Sequence, residues 1–328
     1  SSENILDIVV GAGVSGGSVA VGGSVLVTVM NETTRATIAD DAVVEAVSAG
    51  ASDPGVALDV DSHTEVLSVA GALGLSAGSA GIGAGVNVHT ITKTTEATLG
   101  DGVSVRGDGA DSFADGNIEI TADSTERVAT FAVAAAAGSS VGVGVGADVM
   151  VMTLTTTAAI GANASVLTRG SVKVQAVDET EVDAIVVGAS AGGSGGVGAG
   201  VGVAVITKTT EAMIGANADV SGLGETATTA RIGDYDVGTV ASGTGVSTDA
   251  FEFDGARPDA DDFEIGLPET DVDTDLVSRA DSGDDPETES NPAPEISDPG
   301  LTAEREATLD EDAVSGVVVS ASGKEDLE

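Results

Sequence analysis

Several kinds of residue are absent or scarce in this 328-residue chain. There is no cysteine, which excludes disulfides and thiolate metal sites. There is no tryptophan, one tyrosine and five phenylalanines. Large rings dominate most cores. Here Val, Ile, Leu and Ala must supply the buried volume, while 46 glycines let backbones approach closely. Positive charge is also scarce: 12 Lys and Arg stand against 54 Asp and Glu, a net charge of -42. That excludes general nucleic-acid binding, which needs a basic footprint, and disfavours anionic membrane surfaces. An acidic excess suits high salt, divalent cations or solubility by self-repulsion. A long uncharged run, Val128 to Ala147, is long enough to span a bilayer. Its Gly and Ser content, its V-G-V-G alternation and its match to other segments argue against membrane insertion.

What is present is repetition. Val197 to Ile214 reads V-G-A-G-V-G-V-A-V-I-T-K-T-T-E-A-M-I, and Ile82 to Leu99 is a near copy. Val143 to Ile160 is a third copy and Val21 to Ile38 a weaker fourth. The doublets Thr33-Thr34, Thr94-Thr95, Thr155-Thr156 and Thr209-Thr210 fall in one slot, giving a period of 54–61 residues. A charged marker precedes the later copies: His63-Thr64-Glu65-Val66, Ser124-Thr125-Glu126-Arg127 and Glu179-Thr180-Glu181-Val182. Each unit then runs from an apolar strand through a Gly/Ser turn into a long Val/Thr strand. A Gly-Ala-Asn or Gly-Asp-Gly turn leads on to two further strands. Val-rich alternation favours strands, and a period of this length means a stacked array. The fold class is therefore all-β: a repetitive β-solenoid or stacked β-hairpin layers. Parallel and antiparallel stacking both remain open. Val201, Val203 and Val205 share one side and Gly202 and Ala204 the other. The expectation is that Val fills the interior while the Gly/Ala side admits another layer.

The organisation expected is a β-repeat array over 1–222, an acidic and partly disordered insertion in the fourth unit over 223–312, and the return of the last repeat strand over 313–328. The insertion holds every proline but Pro54, together with Tyr235, Phe251, Phe253 and Phe263. Ala250 to Asp254 alternates like a short strand, and the stretch from about Asp271 to Thr302 has the composition of disorder. Ser1-Ser2-Glu3 runs straight into a repeat-like strand, which reads as a cut from a longer chain.

The pattern G-V-G-A-G-V-x-V-x-x-I-T-K-T-T-E-A-x-I-G, with a following G-x-V-x-V-x-A, resembles repeats of very large secreted bacterial adhesins. These are the filamentous-haemagglutinin-like and leukotoxin-like surface proteins. The resemblance spans Asp7 to about Val220 and resumes at Ser315. It implies an extracellular, repetitive β-rich stalk at a bacterial cell surface. The large acidic insertion departs from that simple array.

Motifs that could carry chemistry are weak beside their bland readings. Gly11 to Gly17 (G-A-G-V-S-G-G) follows a strand like a dinucleotide fingerprint, but strand rather than helix follows it. His63 and His89 lie in no ligand or triad pattern, so structural roles fit them better. Thr90-Thr92-Thr94 and Thr207-Thr209 form T-x-T runs of the kind flat ice-binding solenoids use, but Lys93, Lys208 and Glu96 interrupt them in sequence, and Thr pairs well across strands regardless. Repeated charges in the markers and at Lys93, Glu96, Lys208 and Glu211 predict partly relieved ladders of like charge. In the insertion, Asp259, Asp261 and Asp262, and Asp271, Asp273 and Asp275, are the candidate Ca²⁺ ligands. The second group has loop-site spacing, but Leu276 and Ser282 break the EF-hand pattern.

These observations lead to one expectation and two alternatives. The expectation is a non-enzymatic structural stalk or spacer of a large extracellular adhesin, with no required cofactor. Its partners are neighbouring repeats of the same or like chains and a cell-surface or matrix ligand. One alternative is a Ca²⁺-dependent binding module acting through the insertion, with calcium as the one cofactor. The other is an ice-binding solenoid. An active loop built on Tyr235, Phe251 and Phe263 has no reaction class behind it.

Overall fold

A computed structural model describes residues 2–47, 55–109, 112–236 and 308–327. The chain divides into two units: Ser1–Ile232 with Glu311–Glu328, and Gly233–Asp310. Most of the second unit lies outside the described residues. So do the strand expected at Ala250 to Asp254 and the disorder expected from Asp271 to Thr302.

The first unit is all-β, a solenoid of parallel strands. The first coil comprises β1 (Ser2–Ser15), β2 (Val19–Ile38) and β3 (Val43–Glu45). The second is β4 (Val56–Ser76), β5 (Ala80–Leu99) and β6 (Ser104–Arg106). The third is β7 (Ile118–Gly138), β8 (Val141–Ile160) and β9 (Ser165–Thr168). The fourth is β10 (Val172–Gly192), β11 (Gly195–Ile214) and β12 (Asp219–Gly222). After β13 (Thr228–Asp236), the chain returns through β14 (Thr308–Val314) to β15 (Val317–Leu327), which pairs in parallel with β10. Three stacked sheets result: sheet A is β1-β4-β7-β10-β15, sheet B is β11-β8-β5-β2, and sheet C is β12-β9-β6-β3. Strands β13 and β14 form a small sheet of their own. Every pairing between coils in sheets A to C is parallel. The Gly/Ser turn joins strands of two different sheets, so no hairpin ladder forms.

The turns between sheets B and C explain the repeated Gly-Ala-Asn. Asp41, Gly102, Asn163 and Asn217 all have φ near +60°, a conformation that Gly, Asn and Asp tolerate best. Successive turns are tied together: Asp101 N donates to Asp40 Oδ1 (3.0 Å), and Ala162 N donates to Asp101 Oδ1 (2.7 Å).

Along each coil the section changes from wide to thin. Next to sheet C, sheets A and B diverge around a core that includes Leu99, Val105, Ile118, Ile120, Ile160 and Val174. Met30, Ile91, Val128, Met150, Met152 and Leu154 form a second apolar layer further along. Beyond this, towards the Gly/Ser turns, the sheets touch almost backbone to backbone. A Cβ on Gly144 would stand 2.3 Å from the Ala189 carbonyl oxygen, and one on Gly83 would stand 2.4 Å from that of Ala135. This corrects the expected orientation of the valines. The Gly side faces the opposing sheet, and the Val side of sheet B faces outward. With no side chain on the facing glycines, the two backbones fill the gap and leave no room for Val between them.

Candidate functional site

Two buried polar layers cross the solenoid. The first lies between the two apolar layers. Glu32, Lys93, Leu154 and Lys208 occupy one inward row of sheet B. Thr64, Glu126 and Thr180 form a facing row of sheet A, with Ser62, Ser124 and Asp178 two residues earlier. Lys93 Nζ lies 2.8 Å from Glu126 Oε1, with both side chains essentially buried. Lys93 also donates to the carbonyl oxygens of Ser62 (2.9 Å) and Thr125 (3.2 Å). Glu126 accepts from Ser124 Oγ (2.6 Å) and Thr180 Oγ1 (2.9 Å). Lys208 Nζ lies 2.9 Å from Asp178 Oδ1 and donates to the Lys324 carbonyl oxygen. Glu32 accepts from Ser62 Oγ and Thr64 Oγ1. Burial raises the Glu126 carboxyl above its ordinary value; nearby Asp178 adds to this and Lys93 opposes it.

This layer corrects the reading of the markers. The pairing sets His63 opposite Thr125 and Thr125 opposite Glu179. Glu126 therefore matches Thr64 and Thr180, one place from the Glu65 and Glu181 it resembles in sequence. One residue of slip turns a side chain to the other face, so Glu126 points inward. The outward row is Asn4, Glu65, Arg127 and Glu181, with Arg127 Nε 3.7 Å from Glu181 Oε2. On sheet B, Arg35 Nε lies 2.7 Å from Glu96 Oε2. Opposite charges meet at Arg127–Glu181 and Arg35–Glu96, while acids still stand side by side at Glu181–Asp326 and Asp61–Asp123, so the expected like-charge ladders are relieved in part. Two-residue steps in T-E-V hide this register, because the inward and outward candidates are both Glu.

The second layer lies at the start of the thin half. His89 is fully buried, with Nε2 3.7 Å from Asp148 Oδ1. Thr130 Oγ1 donates to Asp148 Oδ2 (3.0 Å), Thr28 Oγ1 donates to Asp7 Oδ2 (3.1 Å), and Asn87 Nδ2 donates to the Phe131 carbonyl oxygen (3.1 Å). Both His89 ring nitrogens and Asp148 Oδ1 lack a hydrogen-bond partner. Burial pushes the His89 pKa down, against the pull of Asp148 and Asp7, and pushes the Asp148 pKa up. Buried together between the sheets, the His89 and Asp148 side chains fill space in this layer. His63 is half-buried on the outer side of β4.

The other candidates resolve as follows. Gly11 to Gly17 forms the end of β1 and its turn into β2, with no helix. Lys93 and Lys208 do not interrupt the threonines after all. The inward positions alternate with Thr92, Thr94, Thr153, Thr155, Thr207 and Thr209, which face outward in two adjacent rows of sheet B. Arg35, Glu96 and Glu211 border those rows.

The base of the insertion is fastened to the outer side of sheet A. Ser171 Oγ donates to the Thr226 carbonyl oxygen (2.7 Å), Asn117 Nδ2 to that of Ala227 (2.9 Å) and Gln175 Nε2 to that of Arg231 (2.8 Å). Gly316 N donates to Ser171 Oγ (3.2 Å) on the return. This strap covers Asp123, whose carboxyl burial raises to about 6 despite Arg231 at 3.9 Å. Asp259, Asp261, Asp262, Asp271, Asp273 and Asp275 lie outside the described residues, as do Phe251, Phe253 and Phe263. Among the described residues, no group of three or more His, Asp or Glu side chains is placed to hold a metal ion. No described helix is long and apolar enough to cross a membrane. No family model, curated protein or solved structure matches the chain.

Proposed function

We propose that this chain is a non-enzymatic spacer, a stalk segment of a large extracellular protein of the adhesin type displayed at a bacterial cell surface. The observation that carries this reading is the unbroken parallel register of four coils. Each strand pairs residue for residue with its counterpart 54 to 62 positions away, and the buried Lys93–Glu126 pair ties the second coil to the third. Such a stack is rigid along its axis and extends by adding coils. The polar groups of its interior are shut away from solvent, as suits a rod. Like chains or further coils are the natural partners of its open sheet ends.

A thermal melt followed by circular dichroism, with millimolar Ca²⁺ and with chelator, tests the reading. A strand spectrum and a melting temperature that ignore Ca²⁺ fit a self-sufficient spacer. A coil that becomes strand on adding Ca²⁺ overturns it in favour of a cation-dependent binding module built on the acidic insertion. The second alternative, ice binding, draws on the outward Thr92-Thr153-Thr207 and Thr33-Thr94-Thr155-Thr209 rows. Thermal hysteresis that vanishes in Thr94→Lys would favour it over the spacer.

A further inference from the structure

The outer side of sheet B in the thin half is an apolar plane. Its rows run Val21-Ile82-Val143-Val197, Val25-Val86-Ala147-Val201, Val27-Val88-Val149-Val203 and Val29-Thr90-Val151-Val205, with two rows of small or Val residues between and before them. No charged residue stands in any of these rows. Charged residues make up 20% of the chain, so a patch of this size drawn at random would hold several. The valines are open to solvent: on the third coil Val145 and Val149 are 38% exposed and Val151 39%, and on the outer coils Val27 is 60% and Val203 48% exposed. Eleven residues along each strand and four strands across give a plane of about 36 by 19 Å, on the order of 700 Å². An exposed apolar patch of that size marks an interaction surface, and a stable interface takes about 800 Å² from each partner.

We infer that this plane is covered by the same plane of a second copy, an isologous face-to-face contact between two solenoids. Three features favour a copy over other occupants. The plane is four parallel strands in continuous register, so two of them can pack as sheets do, about 10 Å apart with side chains meshed. Hydrocarbon would leave the open backbone edges of β2 and β11 without partners, which lipid does not tolerate. The chain's own residues 237–307 are rich in Asp and Glu, and carboxylates laid against Val would lose their hydration for nothing. The outer side of sheet A is less suited, because a charge, Asp183, stands in its Leu67-Ala129 row. Each copy carries -42 charges. Repulsion therefore holds copies apart at low ionic strength, and salt that shortens the screening length to about 3 Å near 1 M lets them meet.

Sedimentation velocity of the full chain, in dilute buffer and in molar KCl, tests this. The expected result is a salt-promoted dimer. Val149→Lys should cut the dimer fraction at least tenfold, although it lowers the net negative charge that opposes association. The triple variant Val27→Thr, Val149→Thr, Val203→Thr should do the same with its strand spectrum intact, covering the case in which the lysine variant misfolds. Ile185→Lys on sheet A should leave the dimer in place. A wild-type chain that is monomeric in molar salt overturns the inference. So does equal loss of the dimer in Ile185→Lys. Flotation of the wild type with neutral phosphatidylcholine vesicles, lost in Val149→Lys, would assign the plane to lipid instead. Because the inference concerns the side of the solenoid and not its ends, it can fail while a Ca²⁺-independent melt still supports the spacer.

Discussion

At the scale of single residues, the informative positions are buried charges. Lys93 and Glu126 sit in a buried polar layer between two apolar ones, and their mutual attraction and hydrogen bonds offset their desolvation. Removing one partner strands the other. Lys93→Met should cost about 3–5 kcal/mol in a urea titration, whereas Lys93→Met with Glu126→Gln should recover most of that loss. The neighbouring coil already carries Leu154 in the same row, so an apolar residue is tolerated there when no acid faces it. A double variant as unstable as the single one would mean the pair is not a closed unit. Asp123 behaves in the opposite sense to an ordinary surface acid. Its folded pKa is raised from 3.8 to about 6, so the folded state holds the proton more tightly than the unfolded one. That stabilisation is complete below the unfolded value and is lost as pH rises through about 6. Asp123→Asn should therefore raise stability at neutral pH by about 1–3 kcal/mol. The difference between variant and wild type should shrink as pH falls from about 6 to 4. A difference that stays constant with pH would show that Asp123 does not titrate in this window.

At the scale of elements, the Gly-rich segments set the thickness of the solenoid. In Gly144→Val the new side chain would drive into the Ala189 carbonyl. It should lower stability by more than about 3 kcal/mol, beyond ordinary overpacking, because backbone has to move. Val145→Ala, one residue away and outward, should shift the melting temperature far less; equal effects would contradict the assigned faces. The strands, the turn chemistry and the period were legible because each rests on local spacing: Val-Gly alternation, and Asn or Gly where φ is positive. Which side of the alternation lies inside was not. A Val row and a Gly row are equally good strand faces, and only the distance between sheets A and B decides which turns inward. The buried position of Glu126 was missed for a related reason. An extra residue between the second and third coils makes the β4 to β7 offset 62 where the β2 to β5 offset is 61, and the repeated T-E hides the shift. His89, expected to have a structural or exposed role, lies fully buried between the sheets. The six acidic Ca²⁺ candidates lie outside the described residues.

At the scale of the molecule, stability should follow from the number of stacked coils. Interfaces between neighbouring coils repeat, and each coil touches chiefly the coils above and below it, so the free energy is close to a sum of coil and interface contributions. The register permits a direct experiment. Val56 pairs with Ile118, and Ile118 with Val172, so excising residues 118–171 and joining Asn117 to Val172 would bring β4 onto β10 and β5 onto β11 in the same phase. In the shortened stack Lys93 would lose Glu126 and face Thr180, with Asp178 two residues away as the acid within its reach. The three interfaces between the four coils become two, while the wide core, the Asn turns and the Gly contacts between sheets A and B are each preserved by their counterparts. The shortened chain should keep a strand spectrum, with a denaturant m-value reduced roughly in proportion to the surface removed and a lower melting temperature. Loss of all structure would mean that the third coil is a unique core and not one of several equivalent layers, and the spacer reading would lose its physical basis. Retention of the fold would show that length can be changed one coil at a time, which is the property a stalk needs.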